Sequence, residues 1–408
     1  MAGAAQGNSA ASGAGHQEQE TQTFAFIAMT CLFFFWGFIT VLNDILIPFL
    51  KESFDLSYVQ AILVQSCFFG AYFIISPFAG KLIDKVGYQQ GIVLGLLTTA
   101  LGCFLFYPSA SLDIYVLFLC ALFVLASGIT ILQVAANPYV AALGPEKTAA
   151  SRLNLAQAAN SLGTTVGPII GAIMILGAVS SDASAVQMPY MIIGITLVLA
   201  ALLFRRIKLP VLAHVESPVE EHDESVWDRR PLVLGALAIF LYVGGEVSIG
   251  SFLVNYFSES SIAGLSTADA GEMVAYYWGA AMVGRIIGAG AMNYIAPTKY
   301  LALNSVIAVL MIIVSMNSTG NVAMWSILAV GFFNSIMFPT IFTMAVKGLG
   351  SMTSKGSGLV CQAIVGGAIV PLVQAAVADS VGLQMSFIVP LLCYIYIGWY
   401  ALRGAAQD

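Results

Sequence analysis

The feature that most constrains this chain is a succession of long apolar segments that begins at Thr23 and continues almost to the C-terminal end. Many of them reach the roughly 20 residues that an α-helix needs to cross a bilayer. Only 9% of the residues are charged, whereas soluble proteins average about 25%. A chain of 408 residues cannot cover a water-exposed surface with so few charges. We therefore expect an all-α polytopic membrane protein with the lipid bilayer as its main surroundings.

The apolar segments divide into twelve predicted membrane spans. Their bounds are 23–50, 58–80, 88–108, 112–140, 150–176, 188–206, 232–257, 270–292, 299–317, 322–346, 355–379 and 382–404. The connections are short except for the polar, acidic segment 207–231, which separates six spans from six. The sequence thus predicts a disordered cytoplasmic tail at 1–22, a six-helix bundle at 23–206, a cytoplasmic linker at 207–231 and a second six-helix bundle at 232–408.

Basic residues predict the orientation, because cytoplasmic loops carry an excess of lysine and arginine. If the N-terminus is cytoplasmic, Lys51 is the one basic residue of the fifteen that faces outward. The others lie at or near the inner side: Lys81, Lys85, Lys147, Arg152, Arg205, Arg206, Lys208, Arg229, Arg230, Arg285, Lys299, Lys347, Lys355 and Arg403. We therefore expect both termini in the cytoplasm. Arg285 is expected to extend its long side chain to the inner surface.

The two halves of the sequence resemble each other weakly but in the same order. "GFITVLNDILIPFLKES" from Gly37 aligns with "GGEVSIGSFLVNYFSES" from Gly244. Each half later has a proline-bearing fourth span, with "AANPYVAALG" from Ala135 and "MFPTIFTMAVKGLG" from Met337. Two parallel six-helix halves are the repeat pattern of secondary transporters, which bind substrate between the halves near the bilayer midplane. The repeat predicts such a site here.

Several strings resemble a known transporter family. "GKLIDKVGYQQG" is similar to the loop motif between spans two and three of the major facilitator superfamily, and its gating-loop positions are Gly80, Asp84, Lys85 and Gly87. "LNDILIPFL", "QSCFFGAYFIISPFAG", "QVAANPYVAALGPEKTAASRLNLAQAANSLG" and "MFPTIFTMAVKGLG" resemble the fucose/galactose/glucose–proton symporter family. The resemblance runs from about Phe24 to Arg403 and is greatest to the bacterial glucose/galactose transporters.

This resemblance implies two pseudo-symmetric six-helix bundles, the major facilitator fold, in a bacterial inner membrane. It implies that the protein imports a hexose by symport with a cation through alternating access. Glucose and galactose are the favoured hexoses. An N-acetylglucosamine or fucose symporter of the same family and an uncoupled sugar uniporter are the alternatives. We expect a functional monomer that is not an enzyme and that does not bind nucleic acid. We also expect no cofactor apart from the coupling ion, which is H⁺ or Na⁺.

Two adjacent polar residues in span one, Asn43 and Asp44, point to the coupling site. A carboxylate in a membrane span costs several kcal/mol unless it is paired, protonated or hydrated. In fucose permeases, the aspartate at the position of Asp44 is essential to coupling, so the resemblance implies a coupling role for Asp44. Fucose permeases also have a glutamate in span four, and Gln133 stands at that position here. Asp44 can carry a proton, or it can bind sodium together with Asn43 and Gln133, because sodium takes oxygen ligands. The proton is slightly favoured, and Glu246 in span seven is a second candidate for coupling.

Amide side chains in the spans are candidates for sugar binding, because an amide donates and accepts hydrogen bonds as a sugar hydroxyl does. The predicted substrate contacts are Asn43, Asp44, Gln133, Gln157, Asn160, Glu246, Asn334 and Gln362. The alternative is that the amides join helices to one another. Asn137, beside Pro138, could instead bond backbone groups that the proline frees. Trp36, Tyr242 and Phe338 are candidates for stacking on the sugar ring, and packing is their alternative.

Overall fold

A computed structural model describes residues 22–54, 58–171, 186–207, 209–210 and 225–405. Within these ranges, the side chains of 43–49, 51–53, 58–62, 168–169, 171 and 268 lie outside the description. The α-helices are α1 Thr23–Ser53, α2 Tyr58–Val86, α3 Tyr88–Leu112, α4 Tyr115–Ala142, α5 Ala149–Gly171, α6 Gln187–Arg206, α7 Arg230–Ser258, α8 Thr267–Ala291, α9 Pro297–Met316, α10 Gly320–Asn334, α11 Met337–Ala345, α12 Thr353–Gln362, α13 Gly366–Val381, α14 Leu383–Ser386 and α15 Ile388–Trp399. The all-α membrane fold that the sequence predicts is confirmed.

The helices form the twelve predicted spans, because the last three spans are each interrupted once. Span ten consists of α10 and α11, span eleven of α12 and α13, and span twelve of α14 and α15. Ten of the described spans are long and apolar enough to cross a membrane by length and composition alone. The two that fall short are α5 and α8, and both are needed for the site. Their polar side chains line the cavity between the halves, so a simple apolarity criterion misses them.

Close helix packing in both halves depends on glycine at equivalent positions of the repeat. A Cβ atom at Gly37 would overlap the backbone carbonyl of Asn160, where α1 crosses α5. A Cβ atom at Gly244 would overlap the side chain of Val370, where α7 crosses α13. Small residues allow this approach of helices, which in lipid is stabilised by packing and not by burial from water. The aligned glycines therefore have one structural role in both halves.

Proline in span two creates a free carbonyl that the second half uses. Pro77 has no backbone N–H, so the carbonyl of Phe73, four residues earlier, lacks its helical donor. Gln362 at the end of α12 donates from Nε2 to that carbonyl at 3.1 Å. This bond joins the first half to the second half. It also occupies a side chain that the sequence assigned to sugar binding.

Proline in span four does the same. Pro138 leaves the carbonyl of Val134 without its helical donor, and the hydroxyl of Ser357 in α12 donates to it at 2.8 Å. The side chain of Asn137 does not take this role: neither its Nδ2 nor its Oδ1 has a partner among the described residues. The expectation that Asn137 bonds the freed backbone is therefore wrong, because a serine of the other half does so.

The loop motif between α2 and α3 brings the two halves together. Gly80 allows the close approach of α2 to α12, since a Cβ there would lie 2.8 Å from the carbonyl oxygen of Ser354. Asp84 pairs with Lys355 at 3.3 Å and accepts a hydrogen bond from Ser354 at 3.2 Å. Gly87 has a φ of 82° and ends the turn before α3, a conformation that costs glycine little. Lys85 is exposed at the same helix end.

We call the face that carries these residues and the loops after α4, α8 and α11 the basic face, and the opposite side the far face. On the basic face, Glu146 pairs with Lys347 at 3.2 Å and Ser151 donates to the carbonyl of Ala289 at 2.6 Å. Each contact joins the first half to the second. Together with the Asp84 pair, these contacts close the basic face of the molecule.

Candidate functional site

A cavity of about 220 Å³ lies between the two halves, at the level of the middle of the spans. This volume is below the roughly 300 Å³ at which typical small-molecule pockets begin, so the cavity suits a compact ligand. The first half lines it with Trp36, Thr40, Phe68, Phe69, Tyr72, Gln133, Gln157 and Asn160. The second half lines it with Tyr242, Val243, Glu246, Arg285, Phe338 and Ile364.

Three amides belong to the polar part of the first-half wall, together with the hydroxyls of Thr40 and Tyr72. Gln133 on α4 and Gln157 on α5 are 4% and 6% exposed, and neither amide makes a side-chain hydrogen bond within the described residues. Asn160, one turn further along α5, donates from Nδ2 to the carbonyl of Phe33 at 3.0 Å. The described residues of this wall therefore carry no charge, and two of the amides can hydrogen-bond a ligand without breaking an existing bond.

The polar part of the second-half wall is charged. The hydroxyl of Tyr242 donates to Oε1 of Glu246 at 2.7 Å, one helical turn away on α7. Nη2 of Arg285, on α8, lies 3.9 Å from the same carboxylate oxygen. Both ionic side chains are mostly buried, at 13% exposed for Arg285 and 12% for Glu246. The opposite charges compensate each other inside the membrane, where an isolated charge is costly.

The side chain of Arg285 lies in the cavity wall and does not extend to the basic face. The prediction that it extends to the inner surface is therefore wrong. Pro339 lacks a backbone N–H, so the carbonyl of Ser335, four residues earlier, has no helical donor. Nε of Arg285 donates to that carbonyl at 3.1 Å, and Nη1 donates to the hydroxyl of Ser161 in the first half. The proline and Glu246 thus hold the guanidinium in the cavity wall, and the basic side chain bridges the two halves.

Two predicted substrate contacts, Asn334 and Gln362, do not line the cavity. Asn334 is fully buried, and its Nδ2 donates to the hydroxyls of Tyr277 at 2.7 Å and Tyr394 at 2.9 Å. Gln362 donates to the carbonyl that Pro77 frees, as described above. Direct sugar contact by Asn334 and Gln362 is therefore not supported in this conformation, because their amides join helices instead.

Aromatic side chains make up much of the remaining wall. The three that the sequence singled out, Trp36, Tyr242 and Phe338, all line the cavity, and the rings of Tyr242 and Phe338 have centroids 6.4 Å apart. Phe68, Phe69 and Tyr72 of α2 line the cavity as well, although they were not predicted from the sequence. Phe68 and Tyr72 are four residues apart, and residues four apart share a helix face. This spacing could have predicted an aromatic face of α2 toward the cavity.

The side chains of Asn43 and Asp44 lie outside the described residues. The backbone of α1 continues as a helix through both positions, and Thr40, which precedes Asp44 by four residues, lines the cavity. Sodium binding at Asp44, Asn43 and Gln133 and coupling by Asp44 therefore stay predictions.

The contacts between the halves determine from which side a ligand can enter. In the described ranges, hydrogen bonds and ion pairs between the halves lie from the cavity level, at Arg285 and Ser161, to the basic face, at Asp84 and Lys355. The arrangement suits a ligand that enters from the far face and is stopped by a closed basic face.

Comparison with protein families agrees with this architecture. The model of the Major Facilitator Superfamily matches residues 25–361. A solved structure of the fucose–proton symporter of Escherichia coli, in the outward conformation, superposes with a TM-score of 0.87. It is 34% identical in sequence, and the match covers 94% of this chain and 99% of that one.

Two curated relatives are similar over almost the whole chain. The glucose/galactose transporter of Brucella abortus is 55% identical over 393 residues, which are 95% of this chain and 95% of the relative. The putative glucose/galactose transporter of Helicobacter pylori is 47% identical over 407 residues, with 96% and 99% of the two chains covered.

Proposed function

This chain belongs to the Major Facilitator Superfamily, and from that premise we propose that it imports a hexose, glucose or galactose, by symport with a cation. Its family consists of transporters, so it is not an enzyme. The observation that carries the proposal is the cavity between the halves, which combines free amides, aromatic rings and a buried ion pair. The names of the Brucella and Helicobacter relatives, glucose/galactose transporter, support the choice of sugar.

The first-half wall supplies the contacts that a sugar needs. The free amides of Gln133 and Gln157 can each donate to one hydroxyl oxygen and accept from another. Asn160 keeps one carbonyl oxygen for the ligand, because its Nδ2 is already bonded to Phe33. The aromatic rings of Trp36 and Phe338 offer flat apolar surfaces for the C–H faces of a pyranose. These residues are the proposed sugar site.

Glu246 and Asp44 are the proposed coupling residues. Glu246 lies in the cavity wall with its charge compensated by Arg285, so binding of a proton there changes the charge balance next to the sugar. Asp44 follows Thr40 by one helical turn, and residues four apart share a helix face. The proton is favoured as the coupling ion because a relative 35% identical is named a fucose–proton symporter. Sodium at Asp44, Asn43 and Gln133 is the alternative.

The transport cycle follows from the closed basic face. We place the basic face in the cytoplasm, with both termini there, because most lysine and arginine residues lie on that side. The protein resides in the bacterial inner membrane and works as a monomer. A sugar and a cation enter from the far face, and the loaded carrier breaks the contacts of Asp84 and Lys355 to open inward.

The test is transport by Asp44→Asn in proteoliposomes. We expect this variant to exchange labelled sugar across the membrane in counterflow, because exchange needs no net cation movement, but not to accumulate it against a gradient. Asp113→Asn is the matched control, since Asp113 lies in the turn after α3 with a φ of 52°, which asparagine tolerates. Accumulation by Asp44→Asn at the wild-type level would contradict the coupling role.

A further inference from the structure

A group of four polar side chains lies between the cavity and the closed basic face. Asn137 on α4, Asn154 on α5, Thr340 on α11 and Ser357 on α12 are each 0% exposed. Two come from the first half and two from the second, and one hydrogen bond within the group, from Asn154 to Thr340, crosses from one half to the other. We call these four residues the seam group.

Asn137 belongs to the face of α4 that meets the other half. It follows Gln133, which lines the cavity, by four residues, and it follows Val134, whose carbonyl accepts from Ser357, by three. Residues three and four apart share a helix face, so Asn137 lies one turn below the cavity toward the basic face. Both polar atoms of its amide lack a partner among the described residues.

Asn154 holds the equivalent place on α5. It precedes the cavity residue Gln157 by three residues, which again places it one turn toward the basic face. Its Nδ2 donates to the carbonyl of Ala150 at 2.8 Å and to the hydroxyl of Thr340 at 3.3 Å. Its Oδ1 has no partner in the described part of the chain.

Helix association does not account for the amide of Asn137, and it accounts for the Nδ2 atom of Asn154 but not for its Oδ1 atom. An amide that joins helices must bond its neighbours, and an unpartnered buried polar atom is instead destabilising. Asn137 makes no such bond, and Ser357 already satisfies the carbonyl that Pro138 frees. The unpartnered atoms are thus unfavourable while the basic face is closed. They gain partners when the halves separate there and water or ligand enters.

We propose that Asn137 and Asn154 form a second sugar subsite, on the path from the cavity to the basic face, that exists only when this face is open. The subsite rests on the proposed function and takes the same neutral sugar. A sugar that leaves Gln133 and Gln157 moves one helical turn along α4 and α5 and exchanges their amides for those of Asn137 and Asn154. Thr340 and Ser357 line the opposite side of the path.

The subsite predicts an effect that depends on the side of the membrane. The probe is the labelled hexose that the wild-type protein transports, and initial rates are measured in right-side-out and everted membrane vesicles with ion gradients collapsed. For Asn137→Ala, the half-saturating sugar concentration at the basic face should rise about tenfold, the effect of one lost hydrogen bond. The value at the far face should stay within about twofold, since that face meets the unchanged cavity.

Gln374→Ala is the matched control. Gln374 is also fully buried and has an unpartnered Oε1, but its Nε2 bonds Ser386 within the second half, away from the seam group. The control should leave the ratio of the two half-saturating concentrations unchanged. Asn154→Ser is a second variant, with a smaller change in volume, in case Asn137→Ala does not fold, and it should raise the basic-face value in the same way.

Each outcome separates the subsite from the proposed function. The subsite is supported if the wild-type protein transports the hexose, the seam variants raise the ratio of the basic-face to the far-face half-saturating concentration, and Gln374→Ala leaves this ratio unchanged. Wild-type transport with an unchanged ratio in both seam variants overturns the subsite and leaves the proposed function intact. Equal weakening at both faces also overturns it, because a general loss of packing would act in both conformations. A wild-type protein that transports no hexose overturns the proposed function, and the subsite with it.

Discussion

The two walls of the cavity differ in the kind of polar group that they present. The first half offers the neutral amides of Gln133, Gln157 and Asn160. The second half offers the ion pair of Glu246 and Arg285, with Tyr242 bonded to the carboxylate. The halves share a fold and a repeat, yet their walls have different chemistry. The difference suggests that the described part of the first half recognises the sugar and that the second half responds to charge.

This division is physically reasonable. Neutral amides match sugar hydroxyls and keep the same charge in every state of the cycle. A buried ion pair is favourable only while both partners are charged, so protonation or a bound cation changes it strongly. Asp44 is the exception to the division, as a first-half carboxylate whose side chain lies outside the described residues. Substitutions in the two walls can show whether the first half recognises the sugar and the second half couples transport to the cation.

The largest effect is expected for Arg285→Leu, which leaves Glu246 without its cation. Loss of one partner of a buried pair costs about 3–5 kcal/mol of stability, and transport should be abolished. The double variant Arg285→Leu/Glu246→Leu should recover most of the stability, because no charge is left uncompensated, but not coupled transport. Thermal unfolding of the purified protein measures the first effect and vesicle uptake the second. A double variant no more stable than Arg285→Leu would argue against a compensating pair.

Glu246→Gln should separate coupling from recognition. The variant leaves Arg285 without its anion and lowers stability, but Arg285 keeps its bonds to Ser335 and Ser161 and the new amide can accept from Tyr242. Counterflow of labelled sugar, measured per amount of folded protein, should therefore stay within about threefold of wild type, an effect below that of one full hydrogen bond. Accumulation driven by an ion gradient should be lost, because the variant cannot change its charge. If counterflow fell as far as accumulation, Glu246 would be a sugar ligand and the division between the walls would be wrong.

Gln157→Ala should weaken recognition and spare coupling. Loss of one hydrogen bond to a hydroxyl raises the half-saturating sugar concentration about tenfold, while the final accumulation ratio at saturating sugar should equal that of wild type. Concentration-dependent uptake measures both quantities. Gln374→Ala, which removes a buried amide away from the cavity, controls for a general effect of amide removal. An unchanged half-saturating concentration in Gln157→Ala would remove this residue from the sugar site.

Asn160→Ala should have the smallest effect on recognition among these amides. Nδ2 of Asn160 is already bonded to the carbonyl of Phe33, so only its carbonyl oxygen is available to a sugar. We expect a rise of about threefold in the half-saturating concentration and a loss of about 1 kcal/mol of stability from the broken helix–helix bond. Uptake and thermal unfolding measure the two. An effect larger than that of Gln157→Ala would show that free amides are not the main sugar ligands.

The architecture and much of the cavity could be predicted from the sequence, because long apolar segments and their repeat determine a membrane fold almost by themselves. Gln133, Gln157, Asn160 and Glu246 were predicted as site residues, and the structure places all four in the cavity wall. Their binding roles stay predictions until transport is measured. Polar residues in an apolar span are expensive, so their positions within the predicted spans, together with the family resemblance, identified them as candidates.

Arg285, Asn334 and Gln362 could not be placed by the same reasoning. Arg285 was counted as one of many basic residues near the inner side, but its position depends on the carbonyl that Pro339 frees two spans later. Whether an amide faces a cavity or joins two helices depends on what packs opposite it, which a single helix does not reveal. Prolines inside predicted helices give a usable signal, because each one leaves the carbonyl four residues earlier without its helical donor. That carbonyl is then free to accept a hydrogen bond from a side chain.

The most direct test of the account is uptake of labelled glucose, galactose, N-acetylglucosamine and fucose by proteoliposomes, with proton and sodium gradients imposed separately. We expect glucose or galactose to accumulate above its outside concentration under one inward cation gradient, and we expect the proton gradient to be the effective one. We also expect accumulation to stop when that gradient is collapsed. Exchange of sugar without accumulation under either gradient would contradict symport and show an uncoupled carrier.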